Sequence, residues 1–478
     1  MNLLSERMMR AWAGMGPSFL PFADAATPEL PLGRLLRLSL FQVSVGMVLV
    51  LIMGILNRVM IVELDVSTTL VALMIALPLT LAPLRAIIGF RSDQHRSALG
   101  WRRVPFLYRG TLMQFGGLAI MPLALIVLAG VGNAATAPAW LGLGAATLAF
   151  LLVGLGLHTV QTAGLALATD LASAESRPKV VGLMYVSLLV GMIASALIFG
   201  AALEDFSPGR LVQVIQATAV ATVVLNGVAI WKQEPRSSTR RRDVAVPQPS
   251  FRDAWHRLIT RPGVRLQLAT TAVGTMAFGM ADVLLEPYGG LVLGLAVAST
   301  TKLTAIVAFG SLLAFALASR ILSRGVDPFR LACAGAAVGI PAFSAVALAG
   351  PIGAVSLFVV GVLLIGFGGG LFGHGTLTAT MNSAPENEAG LALGAWGAAQ
   401  ATAAGIAIGL GGLLRDTLDL AGFGMAGAYQ AVFALEALLL LAALMVAAPL
   451  LRVRRAQLVS NTDIPLRQTE TSMGKTMP

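Results

Sequence analysis

Cysteine is all but missing from these 478 residues; the one present, Cys333, lies inside an apolar run. No intrachain disulfide can form, cysteine-rich metal sites are excluded, and a small apolar packing role accounts for that thiol. Charge is scarce as well: 12% of residues are charged, against about 25% in a soluble domain. Most of the surface must therefore face lipid. The net charge of +10 does not mark a nucleic-acid partner, because the basic residues sit in short segments between apolar runs and build no basic domain. Enzyme motifs are missing too: there is no HExxH, no Walker A loop and no GxSxG elbow. The glycine-rich run from Gly366 to Gly375 is embedded in an apolar stretch and reads as close helix packing, not as a phosphate cradle. No enzymatic activity and no catalytic residue is expected. The first 30 residues mix charges, prolines and single aromatics, so no cleavable signal peptide is expected either.

What is there is apolar. Hydrophobic residues make up 56% of the chain and mean hydropathy is +0.82. A membrane span needs about 20 apolar residues. Twelve such runs occur, at about 36–57, 67–89, 107–130, 139–167, 180–202, 211–231, 264–286, 296–320, 329–350, 352–380, 390–413 and 428–450. The ninth and tenth are parted only by the turn-forming pair Gly350 and Pro351.

An even number of spans puts both termini on one face. Of 33 lysines and arginines, only Arg58, Arg210, Lys302 and Arg415 fall at the opposite ends. This asymmetry predicts cytoplasmic termini. Its strongest element is the hinge between spans 2 and 3, where Arg85, Arg91, Arg96, Arg102, Arg103 and Arg109 accompany a single acid, Asp93. The organisation follows: a cytoplasmic N-terminal tail (1–33), a six-helix bundle (34–231), a cytoplasmic linker (232–262), a second six-helix bundle (263–450) and a cytoplasmic C-terminal tail (451–478). Within the linker, Phe251 to Ile259 is amphipathic and suits the inner leaflet, with Arg252 and Arg257 near anionic headgroups.

The two halves echo each other. At an offset of 212 residues Gly154, Gly156, Leu165, Ala172 and Gly182 fall on Gly366, Gly368, Leu377, Ala384 and Gly394. This joins span 4 to span 10 and span 5 to span 11, as parallel six-helix repeats require. The fold class is therefore an all-α membrane protein of twelve transmembrane helices in two parallel six-helix repeats, the arrangement of the major facilitator superfamily.

Polar groups inside a membrane are costly and need a reason. His158 and Gln161, three apart on span 4, share a face. His374 lies on span 10, and Gln42 sits deep in span 1. Asp170 ends span 4 and can pair with Arg177 or the hinge arginines. Arg58, Glu63 and Asp65 read as a solvated interfacial cluster. Asp282 and Glu286 flank the outer end of span 7; an ion pair with Lys302 or a proton-coupling role would explain them. Glu436, about nine residues into span 12, must point inward and be protonated or paired.

The hinge segment GFRSD (89–93), with Arg96, Arg102 and Arg103, resembles the loop 2–3 signature of the superfamily. The resemblance implies a conformational latch built from Gly89, Asp93, Arg96, Arg102, Arg103 and Asp170, the acids accepting charge-assisted hydrogen bonds. The bland alternative is a loop that only sets topology. The corresponding second-half loop, Ser323 to Pro328, departs from the signature.

The wording of the hinge, SDQHRSALGWRRVPF, is more particular. With LPLGRLLRLSLFQVSVGM at 30–47, LNRVMIVEL at 56–64 and HTVQTAGLALATDLASAESRPKVVGLMYVSLLVGM at 158–192, it resembles the PucC-type proteins of purple photosynthetic bacteria. What the resemblance implies is a light-harvesting antenna assembly factor in the bacterial inner (intracytoplasmic photosynthetic) membrane, serving the peripheral (LH2) complex. It would deliver bacteriochlorophyll to antenna polypeptides, chaperone those polypeptides, or both. Bacteriochlorophyll a would be cargo, with no other cofactor. The partners would be antenna polypeptides, bacteriochlorophyll synthesis enzymes and membrane lipids, with no nucleic acid. Pigment-binding candidates are then His158, Gln161, His374 and Gln42. No metal is bound directly; a neutral imidazole of His158 or His374 can ligate the pigment's magnesium, and the glycines near 366–370 would leave room for a flat macrocycle. Helix–helix hydrogen bonding is the competing use of both histidines. The competing function is a proton-coupled exporter of a small amphipathic solute that uses Asp282 or Glu436.

Overall fold

The computed structural model describes residues 27, 30–85, 88, 91–92, 95, 101–129, 138–173, 176–234, 251–322, 324–383 and 389–462. Among them regular structure is helical throughout. The first helix, α1 (Leu32–Leu49), continues through two widened π-helical segments, Val50–Leu56 and Val59–Glu63. There follow α2 (Thr68–Thr80), α3 (Val104–Leu128), α4 (Ala139–Leu171), α5 (Arg177–Ala202) and α6 (Pro208–Ile230). A short helix α7 (Phe251–Thr260) precedes α8 (Val264–Gly279), α9 (Ala281–Leu291), α10 (Val297–Leu322), α11 (Pro328–Ala349), α12 (Val355–Ser383), α13 (Ala389–Leu418) and α14 (Gly424–Thr462).

Ten helical stretches among the described residues are long and apolar enough to cross a membrane. One of them, Gly394–Leu451, has 58 residues, about 87 Å at 1.5 Å per residue and far beyond a 30 Å hydrocarbon core. It is two rods, α13 and α14, that fold back on each other through a turn where Gly422 and Gly424 take φ of 93° and 69°, conformations glycine adopts without a Cβ clash. The thirteen-residue α2 is the short member. The rods are then twelve, as the apolar runs predict. α2 stops short of the expected 89 because Pro83 has no N–H to give the Leu79 carbonyl, and residues 81–83 form a turn.

Packing repeats between the halves. α3 packs on α4 as α11 does on α12; α1 on α5 as α8 on α13; α1 on α6 as α8 on α14; α3 on α6 as α11 on α14; α2 on α4 as α10 on α12. Contacts between halves obey the same two-fold: α5 meets α10, and α2 meets α13. Small residues permit these approaches. Gly405 and Gly412 of α13 lie directly against Thr80 and against Ala72 and Thr68 of α2, where an added Cβ would come within 3.1 Å of its neighbours.

The face at which α1 begins is called the N-face below, and the other the far face. α7 occupies part of the expected linker. It does not simply rest on lipid: Leu258 is buried against Ala392 and Ala395 of α13, with Val264 and Leu268 of α8 alongside. Arg252, His256 and Arg257 are exposed. Helix α14 runs to Thr462, so the first part of the expected C-terminal tail continues the last span.

A broken helix with buried carboxylates as the candidate functional site

The seventh span is not continuous. Helix α8 ends at Gly279 and α9 begins at Ala281, with a bend at Met280 between them. A helix start leaves backbone N–H groups without partners, which is untenable inside an apolar slab. Glu436 of α14, fully buried, supplies the acceptor: the Ala281 N–H donates to its Oε1 at 2.6 Å. The positive end of the half-helix dipole favours this position for a carboxylate. Glu436 points inward, as expected; its Oε2 has no hydrogen-bond partner.

The next residue, Asp282, is exposed to a cavity of about 280 Å³ lined by Thr275, Phe278, Ser311, Gly369 and Gln400 among others. One helical turn on, Glu286 is buried between halves. Thr304 of α10 donates its hydroxyl to Oε1, Gly54 of α1 lies beside that oxygen, and Oε2 is unpartnered. The expected pairing with Lys302 does not form among the described residues: Glu286 takes Thr304 instead, and Lys302 is exposed next to Gly200.

One hydrogen bond is missing from the ladder of the same half-helix. Pro287 has no N–H, so the carbonyl four residues earlier, Val283 O, is released. Asn57 of α1 donates Nδ2 to it at 3.0 Å. Beside it Arg58, 4% exposed, donates to the Leu295 carbonyl at 3.2 Å and pairs with Glu63 at 2.5 Å. The solvated edge expected of Arg58 is therefore an inter-half clasp. Asp416 of α13 accepts from both the N–H and the hydroxyl of Thr69 at 2.7 Å, capping α2 from the other half. Arg415 pairs with Asp416 at 2.8 Å and Asp419 at 3.3 Å. The hydrogen bonds that Asn57, Arg58 and Thr69 make across the halves all lie at this far face.

The pigment-binding candidates scatter. His158 Nε2 is 2.8 Å from the Pro78 carbonyl, a group left without a helical partner because α2 ends at Thr80. That nitrogen donates and is not open to a metal. Gln161 accepts at Oε1 from Arg85 at 2.6 Å. His374 packs against Phe315 with ring centroids 4.7 Å apart, its Nδ1 buried and unpartnered. Gln42 is fully buried with both amide atoms unpartnered. The two histidines face different helices, α2 and α10, and share no contact among the described residues. Of the glycines meant to leave room for a macrocycle, Gly368 and Gly370 are spent on close approach to Gly335 and to Ser311 and Ala314. Gly366 packs on Val307, and Gly366 and Gly369 line the cavity.

Of the latch residues, Gly89, Asp93 and Arg96 lie outside the described residues. Arg103 pairs with Asp170 at 3.0 Å and donates to Ser92 at 2.5 Å. Sequence reasoning missed Glu234, at the end of the sixth span. Its carboxylate accepts from the backbone N–H groups of Arg102, Arg103 and Val104 at 2.7–3.1 Å, capping α3. The signal available was an acid close behind a span that neighbours a helix start. Arg102 joins this cap through its backbone alone; its side chain is exposed.

The family model described as PUCC protein matches residues 55–455. The chain belongs to the PucC family. It is 58% identical over 420 residues to Protein PucC of Rhodovulum sulfidophilum, covering 87% of this chain and 92% of that one. To Protein PucC of Cereibacter sphaeroides it is 56% identical over 458 residues, 95% and 98% of the two chains. The crystal structure of a D-xylose-proton symporter superposes with a TM-score of 0.66 at 15% identity, over 85% of this chain and 96% of that one. This PucC-family protein therefore has the major facilitator fold and is a multi-pass membrane protein.

Proposed function

We propose that this PucC-family protein is an assembly factor for the light-harvesting antenna of purple photosynthetic bacteria, serving the peripheral (LH2) complex. It acts in the inner, intracytoplasmic photosynthetic membrane with both termini cytoplasmic, an orientation supported by the lysine and arginine distribution. The N-face is then the cytoplasmic one. Bacteriochlorophyll a and the antenna polypeptides are the cargo and the partners; enzymes of pigment synthesis are the source of the pigment. The role has no catalytic step.

The observation that carries this reading is the kinship to Protein PucC over nearly the whole chain. The cavity of about 280 Å³ beside Asp282 is smaller than a tetrapyrrole with a long alkyl tail and would not by itself enclose one. His158 donates Nε2–H to the Pro78 carbonyl, which leaves Nδ1 as its ligating nitrogen, so pigment delivery and chaperoning of antenna polypeptides both stand. Proton-coupled export of a small amphipathic solute is the second reading. Asp282 at the start of a half-helix beside the cavity supports it.

Purification from pigment-producing cells and from cells unable to make bacteriochlorophyll tests the reading. Colourless protein retaining antenna polypeptides from both supports chaperoning. A stoichiometric pigment lost in His374→Ala supports delivery. Neither partner nor pigment, with substrate-dependent proton flux in liposomes, would replace assembly by export.

A further inference from the structure

We propose that Arg85 anchors a binding site, open toward the N-face, for the oxyanion head of an amphipathic molecule: a carboxylate or phosphate attached to an apolar body. Arg85 follows α2, and its guanidinium is turned into the N-terminal half. NH2 donates to Gln161 Oε1 at 2.6 Å and Nε donates to Thr162 Oγ1 at 3.2 Å. Gln161 lies ten residues before Leu171, the end of α4, about 15 Å inside that helix at 1.5 Å per residue. Helix α4 has 33 residues, about 50 Å, longer than a 30 Å hydrocarbon core. The guanidinium is thus drawn from the N-face end of α4 toward its apolar middle, where an ionised group is expensive unless compensated.

Its partners do not compensate it. Three arginines with more deeply buried side chains each have a carboxylate: Arg58 has Glu63, Arg103 has Asp170, and Arg415 has Asp416 and Asp419; of the half-buried ones, Arg34 and Arg37 sit at the N-face end of α1, whereas Arg85 is drawn inward along α4. Among the described residues Arg85 has none; Gln161 and Thr162 are neutral, and the titratable groups within electrostatic reach are Tyr185 and His158. A buried cation without an anion is a strongly unfavourable state, and a bound anion removes it.

Donors for such an anion are in place. A guanidinium has five N–H groups, of which two are used here. The Gln161 amide NH₂ and the Tyr185 hydroxyl have no hydrogen-bond partner among the described residues, and Arg85, Gln161 and Tyr185 are each only half-buried. Planar, bidentate donation suits carboxylate and phosphate oxygens. The depth selects the rest of the ligand, because a small hydrated anion would have to shed its water to reach Arg85. This site does not rest on the antenna reading.

The full-length protein in neutral detergent micelles is titrated with oleate, with oleyl alcohol, with phosphatidylglycerol, with phosphatidylcholine and with inorganic phosphate, binding being read by native mass spectrometry. Oleate or phosphatidylglycerol should bind about tenfold or more tightly than its uncharged or zwitterionic counterpart, the equivalent of one charge-assisted hydrogen bond. Oleate alone would identify a free amphipathic carboxylate, and phosphatidylglycerol alone a lipid headgroup. Arg85→Gln should lose that preference, while Arg109→Gln, on an exposed α3 position, should keep it. Gln161→Glu places a carboxylate on the guanidinium and should abolish anion binding while the protein unfolds no earlier than the parent. Equal binding of oleate and oleyl alcohol, binding of inorganic phosphate alone, or an anion preference that survives Gln161→Glu would each overturn the proposal.

Discussion

Glu436 and Ala281 stand 155 positions apart in the chain, yet the carboxylate of one caps the half-helix that starts at the other, at 2.6 Å. Glu436→Ala leaves the Ala281 N–H without an acceptor in an apolar interior and should cost about 1–3 kcal/mol. Glu436→Gln keeps a carbonyl oxygen at the same place and should cost less. Thermal unfolding of the purified variants, followed by retention of a single size-exclusion peak, checks this. Equal stability of the alanine variant and the parent would show that the cap is dispensable.

The far-face clasp rests on Asn57, Arg58 and Asp416 reaching across to Val283, Leu295 and Thr69. Asp416→Ala with Asn57→Ala should loosen the contact between halves there. With Cys333→Ser as background, a cysteine placed at Ala298, buried at this end of α10, should react several-fold faster with a membrane-impermeant maleimide. Unchanged labelling would mean that apolar packing alone holds the far face shut.

At the N-face, two acids hold the start of α3. Glu234 bonds three consecutive backbone N–H groups, so Glu234→Ala should cost about 1–2 kcal/mol, as loss of a helix cap does. Asp170→Asn takes the carboxylate from Arg103, whose side chain is 6% exposed; water screens the acid, which is 43% exposed, but the buried guanidinium left without an anion makes this the costlier change. Unfolding midpoints of the two variants give the order, and the reverse order would contradict it.

The spans, their number and the two-fold repeat were legible in the chain because each run of apolar residues is long, and because small residues recur at a fixed offset. Helix ends were less so: Pro83 cuts α2 shorter than its apolar length. What remained illegible was partnership. Nothing near Val283 says that Pro287 would release its carbonyl to Asn57, and nothing near Thr69 points to Asp416. Arg85 reads as one more topological charge until Gln161 and Thr162 are seen to draw it inward. Local pattern reports which residues are apolar; it does not report which distant polar groups complete each other.

His158 provides a test of structure against pigment. Its bond to Pro78 O predicts that His158→Ala destabilises the protein by about 1–2 kcal/mol in cells with or without pigment. His374→Phe, beside Phe315 with an unpartnered Nδ1, should leave stability nearly unchanged. Stabilisation of the parent but not of His158→Ala by pigment would assign that histidine to ligation instead.

The assembly role itself is tested by antenna absorption in membranes of a purple bacterium from which this gene has been deleted, and again after it is restored. Peripheral antenna absorption should fall several-fold in the deletion strain while total extractable bacteriochlorophyll synthesis capacity persists, and should return with the gene. Peripheral antenna at full level without the protein would contradict a role in its assembly.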